Sequence, residues 1–326
     1  MAADTAYFLL HTEIIQKCQY FTVILVSLFV AVVGEWQFLA SGSTHSTRPG
    51  IESKSTHENV AYRPVILVHG VFAVNNSLAG LRQFITQAHP GTSVTSIPLF
   101  EDLQSVEPLW KQVPKFAAAM RPIMQQAQDG VILICYSQGG IICRGILETM
   151  SDHNVHTFIA LSSPQMGQYG DTSYIPFLPK LKADVYKFCY HALGQDVSIC
   201  NYWNDPHHQS LYQQGNDYLP VLNNETLNTN SQDWKANFLR LKQMVMIGGP
   251  NDGVITPWQS SHFGFYDDNE NIVEMRDQEI YKYDSFGLQT LDKRNALKTY
   301  NVSGVKHTNW HRNQTVFDSC IEPWLS

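Results

Sequence analysis

Val131–Gly140, VILICYSQGG, is the stretch from which the rest of the chain can be read. Val131–Tyr136 is apolar without alternation, as in a strand buried on both faces of a parallel sheet. Ser137 follows, and Gly139–Met150 then continues with helical spacing. A strand that turns sharply into a helix around a serine is a nucleophile elbow. The turn lifts Ser137 Oγ above the sheet and points the helix N-terminus at the reaction centre. Gly139 lets helix and strand approach closely. The usual pattern is G-x-S-x-G, and here Cys135, small enough for the place, stands at the first glycine.

Working outward, Val65–Val68, His156–Leu161 and Met244–Ile247 are further short apolar runs, and Ser93–Ile97 is another strand candidate. Ser77–Ala88 has helical spacing (Leu78, Leu81, Phe84, Ile85, Ala88), with Ser77 as its N-cap. Val106–Ala127 reads as a helix broken or kinked at Pro114 and Pro122. Strands alternating with helices predict an α/β fold with a mostly parallel central sheet flanked by helices. Between the third and fourth core strands, residues 165–241 are rich in Tyr, Trp, Pro, Asn and His and poor in periodicity. An insertion of that length predicts a lid. Its Tyr169, Tyr174, Ile175, Phe177, Leu178, Tyr186, Phe188, Tyr202 and Trp203 are candidates to roof an apolar groove, with Asp205, His207 and His208 set to narrow it.

An elbow serine needs an oxyanion hole, an acid and a base. One backbone N–H comes from the residue after the nucleophile, Gln138. The second is expected from the loop after the first strand, at Val71. His69 in that loop reads as structural. After the fourth core strand comes GGPNDG (248–253), which puts Asp252 at a strand's carboxyl end, where open α/β sheets place their sites. For the base, His307 and His311 precede the last helix and His262 is a weaker rival; spacing does not choose between the first two. This chemistry calls for no metal or cofactor.

The 326 residues are 44% hydrophobic, too apolar for a disordered chain, and the net charge of −7 without a Lys/Arg run excludes a nucleic-acid binder. Tyr20–Val33 is an apolar run of signal-peptide length, short for a membrane span. Residues 1–40 read as a signal peptide, with an uncleaved anchor as the alternative, and 41–62 as a polar lead-in. The folded domain covers 63–326, as a monomer without a membrane span in the mature form. Sequons at Asn75, Asn224, Asn301 and Asn313 agree with passage through the secretory lumen. Beyond Cys18, five cysteines remain (Cys135, Cys143, Cys189, Cys200, Cys320), without CxxC pairs: two disulfides and one odd thiol.

Longer strings resemble a known family. RPVILVHGVF (63–72), QAHPGTSVT (87–95), LICYSQGG (133–140), DHNV (152–155), LSSPQMGQYGDTSY (161–174), SICNYWNDPHH (198–208), NFLR (237–240), IGGPNDGVITPWQSS (247–261), GFYD (264–267), DSFGL (284–288) and SCIEPWLS (319–326) are similar to the palmitoyl-protein thioesterases, most of all to their type-two lysosomal branch. The resemblance runs from Arg63 to Ser326, lid included. It implies an α/β-hydrolase fold and hydrolysis of fatty acyl thioesters, palmitoyl-CoA or S-palmitoylated proteins, in the lysosome lumen or after secretion. An esterase or lipase acting on oxygen esters is the alternative, and a non-catalytic lipid-binding protein a more distant one. Motif to motif, the resemblance implies Ser137 as nucleophile, Asp252 as acid, His307 in GVKHTNW as base, and Val71 and Gln138 as oxyanion donors. It also implies the disulfides Cys135–Cys143 and Cys189–Cys200. The branch pairs its last cysteine with one seven residues before the histidine; here that position is Tyr300, which leaves Cys320 free.

Overall fold

A computed structural model describes residues 62–74, 76–172, 175 and 178–326, all within the unit Asn59–Ser326. The expected signal peptide, the expected lead-in up to residue 61, the sequon at Asn75 and the lid residues Tyr174 and Phe177 lie outside the described residues.

The chain runs β1 (Val65–Val68), α1 (Ala79–Ala88), β2 (Val94–Ser96), α2 (Leu109–Gln126), β3 (Val131–Tyr136), α3 (Gln138–Thr149), β4 (Val155–Leu161), the lid with α4 (Ser231–Phe238) near its end, β5 (Gln243–Gly248), a small antiparallel ribbon of β6 (Phe265–Tyr266) and β7 (Ile272–Val273), and β8 (Leu297–Asn301). Six strands form one sheet in the order β2-β1-β3-β4-β5-β8, every pairing parallel. Alternate residues of the central strands face opposite layers. Ile66, Val68, Leu133, Cys135, Phe158 and Met246 pack with α2, α3 and the lid. Leu67, Ile132, Ile134, Ile159 and Val245 pack with α1 and the C-terminal segment of Trp310, Phe317 and Ile321. Both faces are covered, which is why these strands carry no polar alternation. The register pairs Val68 with Cys135, Tyr136 with Leu161 and Leu161 with Ile247. The carboxyl ends of β1, β3, β4 and β5 therefore finish side by side.

Four local expectations are corrected. Ser77 is not the N-cap: its N–H is held by Val74 O in a tight turn, and the helix starts at Ala79 after Leu78, without a side-chain cap. The prolines do not break α2, which runs unbroken from Leu109 to Gln126. Pro114 and Pro122 are both exposed. Their rings stand on the outer face of the helix, while Val113, Phe116, Met120 and Met124 hold the other face in the core. The sheet gains a sixth strand, β8, beside β5. Among the lid aromatics, Tyr169 and Trp203 are almost fully buried and pack on each other, ring centroids 5.5 Å apart, away from the roofing role expected of them.

The lid is a chain of one- and two-turn helices, Val185–Cys189, Ala192–Gln195, Ser198–Asn201, Gln209–Gly215 and Leu219–Leu222. A disulfide, Cys189–Cys200, ties the first of these to the third. Arg144 of α3, wholly buried, fastens the lid from below. It donates to Gln165 O (3.0 Å) and Asn223 Oδ1 (2.6 Å), pairs with Glu148 Oε1 (2.8 Å), and lies 4.2 Å from the Phe286 ring centroid. Burial pushes the Glu148 carboxyl up to about 7, and the Arg144 charge opposes that rise only in part.

Candidate active site

Ser137 occupies the turn between β3 and α3 at φ 55°, ψ −128°, a region a side-chain-bearing residue adopts only when its surroundings impose it. What imposes it is close packing on both sides. A Cβ on Gly139 would run into the carbonyls of Val68 and His69, and one on Gly70 would sit 2.8 Å from Ser137 Cβ. Cys135, in place of the pattern's first glycine, forms a disulfide with Cys143 in α3 (Cα–Cα 6.6 Å), so its side chain is spent bridging strand and helix behind the serine.

His307 Nε2 lies 2.9 Å from Ser137 Oγ, and His307 Nδ1 lies 3.0 Å from both carboxylate oxygens of Asp252. A carboxylate only accepts, so the proton sits on Nδ1, and Nε2 is left to accept from the serine hydroxyl. The Asp252 carbonyl also takes the His307 N–H at 2.8 Å, fixing the histidine's backbone to the acid's loop. Tyr136 OH donates to His307 O at 2.7 Å, and its ring lies 5.1 Å from the imidazole.

Asp252 is buried and accepts from five donors: His307 Nδ1, Ser162 Oγ (2.5 Å), Trp310 Nε1 (2.6 Å) and the backbone N–H groups of Val254 (3.0 Å) and Ile255 (2.7 Å). Burial pushes this carboxyl up, but the bonds from His307, Ser162 and Ile255 and the histidine's charge outweigh it, and the net shift is downward. An ionised acid with every lone pair engaged orients the imidazole and stabilises its cationic form.

Ser162 and Trp310 escaped the sequence reading. Ser162 follows Leu161 at the carboxyl end of a buried strand, and that position was its one signal; Trp310 stands three residues after His307. The rival bases stay apart: among the described residues, neither His311 nor His262 hydrogen-bonds Ser137 or Asp252. His311 packs edge-on against Tyr136, and burial, then Arg312 and His307, hold it down at about 4. Burial holds His262 down at about 4 as well. His69 places its ring nitrogens 2.8 Å from Leu99 O and Gly70 O and anchors the loop after β1.

A cavity of about 180 Å³ opens over the serine, lined by Val71, Phe72, Tyr136, Ser137 and His307 from the sheet side and by Ile199 and Tyr202 from the lid. Gln138 opens α3 directly after Ser137. Among the described aromatics named for the lid, Tyr202 lines the cavity. Among the other sequence-derived sites, Cys320 is a buried free thiol. Tyr300, at the position where the branch has its partner cysteine, accepts a hydrogen bond from Trp324 Nε1 at 3.1 Å. Asn224 and Asn301 are exposed, whereas Asn313 is half-buried and caps Val316 N–H with its own Oδ1 (3.1 Å).

The family profile described as palmitoyl protein thioesterase matches residues 64–307. The chain is 53% identical to "Lysosomal thioesterase PPT2" of Rattus norvegicus over 268 residues, 82% of this chain and 89% of that one. Against the Homo sapiens protein of the same name it is 52% identical, again over 82% and 89%. With "Lysosomal thioesterase PPT2 homolog" of Drosophila melanogaster it shares 39% over 82% and 93%. A more remote likeness in space is the mature lipase BlEst2 of Bacillus licheniformis, at 19% identity and a TM-score of 0.46, covering 84% of this chain and 96% of that one. With the profile spanning the sheet, the elbow and the lid, and with relatives this similar along most of their own length, the chain belongs to the palmitoyl protein thioesterase family.

Proposed function

We propose that this chain is a serine hydrolase of fatty acyl thioesters acting in the lysosomal lumen. The observation that carries the reading is the unbroken hydrogen-bonded line from Ser137 Oγ through His307 to Asp252. His307 Nε2 takes the hydroxyl proton as Ser137 Oγ attacks the acyl carbonyl. The negative oxygen that forms is met by the N–H groups of Val71 and Gln138, each contributing about 3 kcal/mol. As the carbon–sulfur bond breaks, the imidazolium protonates the departing thiolate to release the thiol. Water, deprotonated by the same nitrogen, then hydrolyses the acyl-enzyme. The acyl chain lies between the Val71–Phe72 loop and the Ile199–Tyr202 side of the lid, where each buried methylene contributes about 0.8 kcal/mol.

The domain plan proposed with this is a signal peptide over 1–40, a lead-in over 41–62 and a hydrolase over 63–326 with a lid at 165–241. Glycans are proposed at Asn75, Asn224, Asn301 and Asn313. The test is a panel of palmitoyl-CoA, an S-palmitoyl peptide and nitrophenyl palmitate at acid pH, run on wild type and Ser137→Ala. Thioester turnover that disappears in the variant supports the reading. Turnover above a hundredth of wild type in the variant, or a preference for the oxygen ester, overturns it.

A further inference from the structure

A second polar network lies beside the Ser137–His307–Asp252 line, on the far side of Gln138. Its centre is Ser105, 1% exposed, in the short 3₁₀ turn Asp102–Val106. The Ser105 hydroxyl accepts the Phe72 N–H at 2.7 Å and donates to Asp102 O. Phe72 directly follows Val71 and stands at φ 57°, where a bulky residue needs external support. Asp102 N–H holds the next residue, Ala73, through its carbonyl at 2.7 Å. The Ser105 carbonyl meanwhile accepts from Gln138 Nε2 at 2.7 Å. Thus one residue grips the loop carrying the first proposed oxyanion donor and the side chain of the residue carrying the second.

The lid closes the network. Ser198 Oγ lies 2.8 Å from Gln138 Oε1 and 3.0 Å from Ser105 O, and Tyr202 OH donates to Gln138 Oε1 at 3.2 Å. Ser105 O already takes Gln138 Nε2 and Gln112 Nε2 (2.9 Å). The single Ser198 proton therefore goes to the shorter partner, Gln138.

We propose that Ser105 is a positioning residue that sets both oxyanion donors at once, and that Ser198 of the lid reports to it through the Gln138 side chain. Seating of the lid and alignment of the oxyanion hole are then one event. The proposal rests on the reading of Ser137 as nucleophile and of Val71 and Gln138 as donors. It adds that a residue distant from substrate controls how well those donors meet the transition state.

Ser105→Ala strips Phe72 N–H of its acceptor and lets the loop relax out of its left-handed turn. Losing an oxyanion donor outright costs roughly 10²–10³ in kcat. A displaced donor should lose part of that, roughly 10- to 100-fold in kcat, with KM within about threefold. Ser198→Ala, which leaves Tyr202 on Gln138, should lose roughly three- to tenfold. Rates are taken per active site titrated with a fluorophosphonate, so unfolded protein is not counted. The decisive comparison uses two palmitoyl ligands. A trifluoromethyl ketone forms an oxyanion on Ser137, and a non-hydrolysable thioether of CoA does not. The ketone should weaken in step with kcat while the thioether keeps its affinity. Equal weakening of both, or a kcat within twofold of wild type, overturns the proposal and leaves the nucleophile reading standing. Should Ser105→Ala not fold, Ser198→Ala must show the same selective loss, and equal weakening there overturns the proposal too. Full activity of Ser137→Ala, run alongside, removes the parent reading and this one with it.

Discussion

Asp252→Asn tests the acid without changing its volume, and the hydrogen bonds around it fix what should follow. The five donors divide into two sets. Val254 and Ile255 N–H meet Oδ1, while Ser162 Oγ and Trp310 Nε1 meet Oδ2, and His307 Nδ1 faces both. An asparagine keeps one acceptor. Placed on the two backbone N–H groups, it turns its NH₂ toward Trp310, Ser162 and His307. Ser162 can rotate its hydroxyl to accept, and His307 can move its proton to Nε2, but the indole N–H cannot adapt. The orphaned Trp310 donor costs about 1–3 kcal/mol of stability. The tautomer change does more harm, because Nε2–H now faces Ser137 Oγ and cannot take its proton. The same substitution in a well-studied serine protease lowers kcat by roughly 10⁴, and a loss of that order is expected here. The assay is palmitoyl-CoA hydrolysis at acid pH, with the urea midpoint measured on the same samples. Adding Trp310→Phe to Asp252→Asn removes the orphan, so it should recover stability and no activity. A variant within a hundredfold of wild type, or a double variant that recovers activity, would refute the reasoning.

Three further outcomes are expected. His307→Ala should be as inactive as a nucleophile variant while His311→Ala keeps most of its kcat; the opposite pattern in steady-state assays moves the base to His311. Glu148→Gln should be as stable as wild type near pH 4.5 and more stable above pH 7, by up to about 3 kcal/mol. The folded Glu148 holds its proton up to about 7, whereas the unfolded chain releases it near 4.5, so this residue's contribution to stability falls as pH rises through that window. Chemical denaturation of both proteins across the range reads the difference, and the opposite-signed loss at low pH from buried His153, His262 and His311 cancels between them. Replacing Cys135 and Cys143 together by Ala should cost about 2–3 kcal/mol, from reopening a loop of separation 8; an unchanged urea midpoint would deny the bridge a structural role.

What the sequence revealed and what it hid divide along physical lines. β1, β3, β4 and β5 were legible because burial on both faces leaves an unbroken apolar run. β8, LKTYN, is an edge strand with Lys298 and Thr299 exposed, so no such run marks it. The lid helices are too short for a 3.6-residue period to repeat. Ser137 could be placed because it directly follows β3, and Asp252 because it lies in the loop four residues past the end of β5. The histidine could not be chosen by spacing, since His307 and His311 lie one turn apart and only the path from β8 decides which one faces Ser137. Ser162 and Trp310 matter to Asp252 because β4, β5 and the C-terminal segment meet at one edge, and adjacency in space leaves no mark on neighbouring letters.

The bridge behind the elbow also bears on how this chain can diverge. A glycine at position 135 would restore the common pattern, yet that change alone strands Cys143 as a buried thiol in the helix behind Ser137. Loss of Cys143 alone leaves the reverse orphan at the end of β3. The two positions are thus expected to pass through descent as a unit, both cysteine or neither. Paired changes there would trace a lineage's history more faithfully than a change at either position alone.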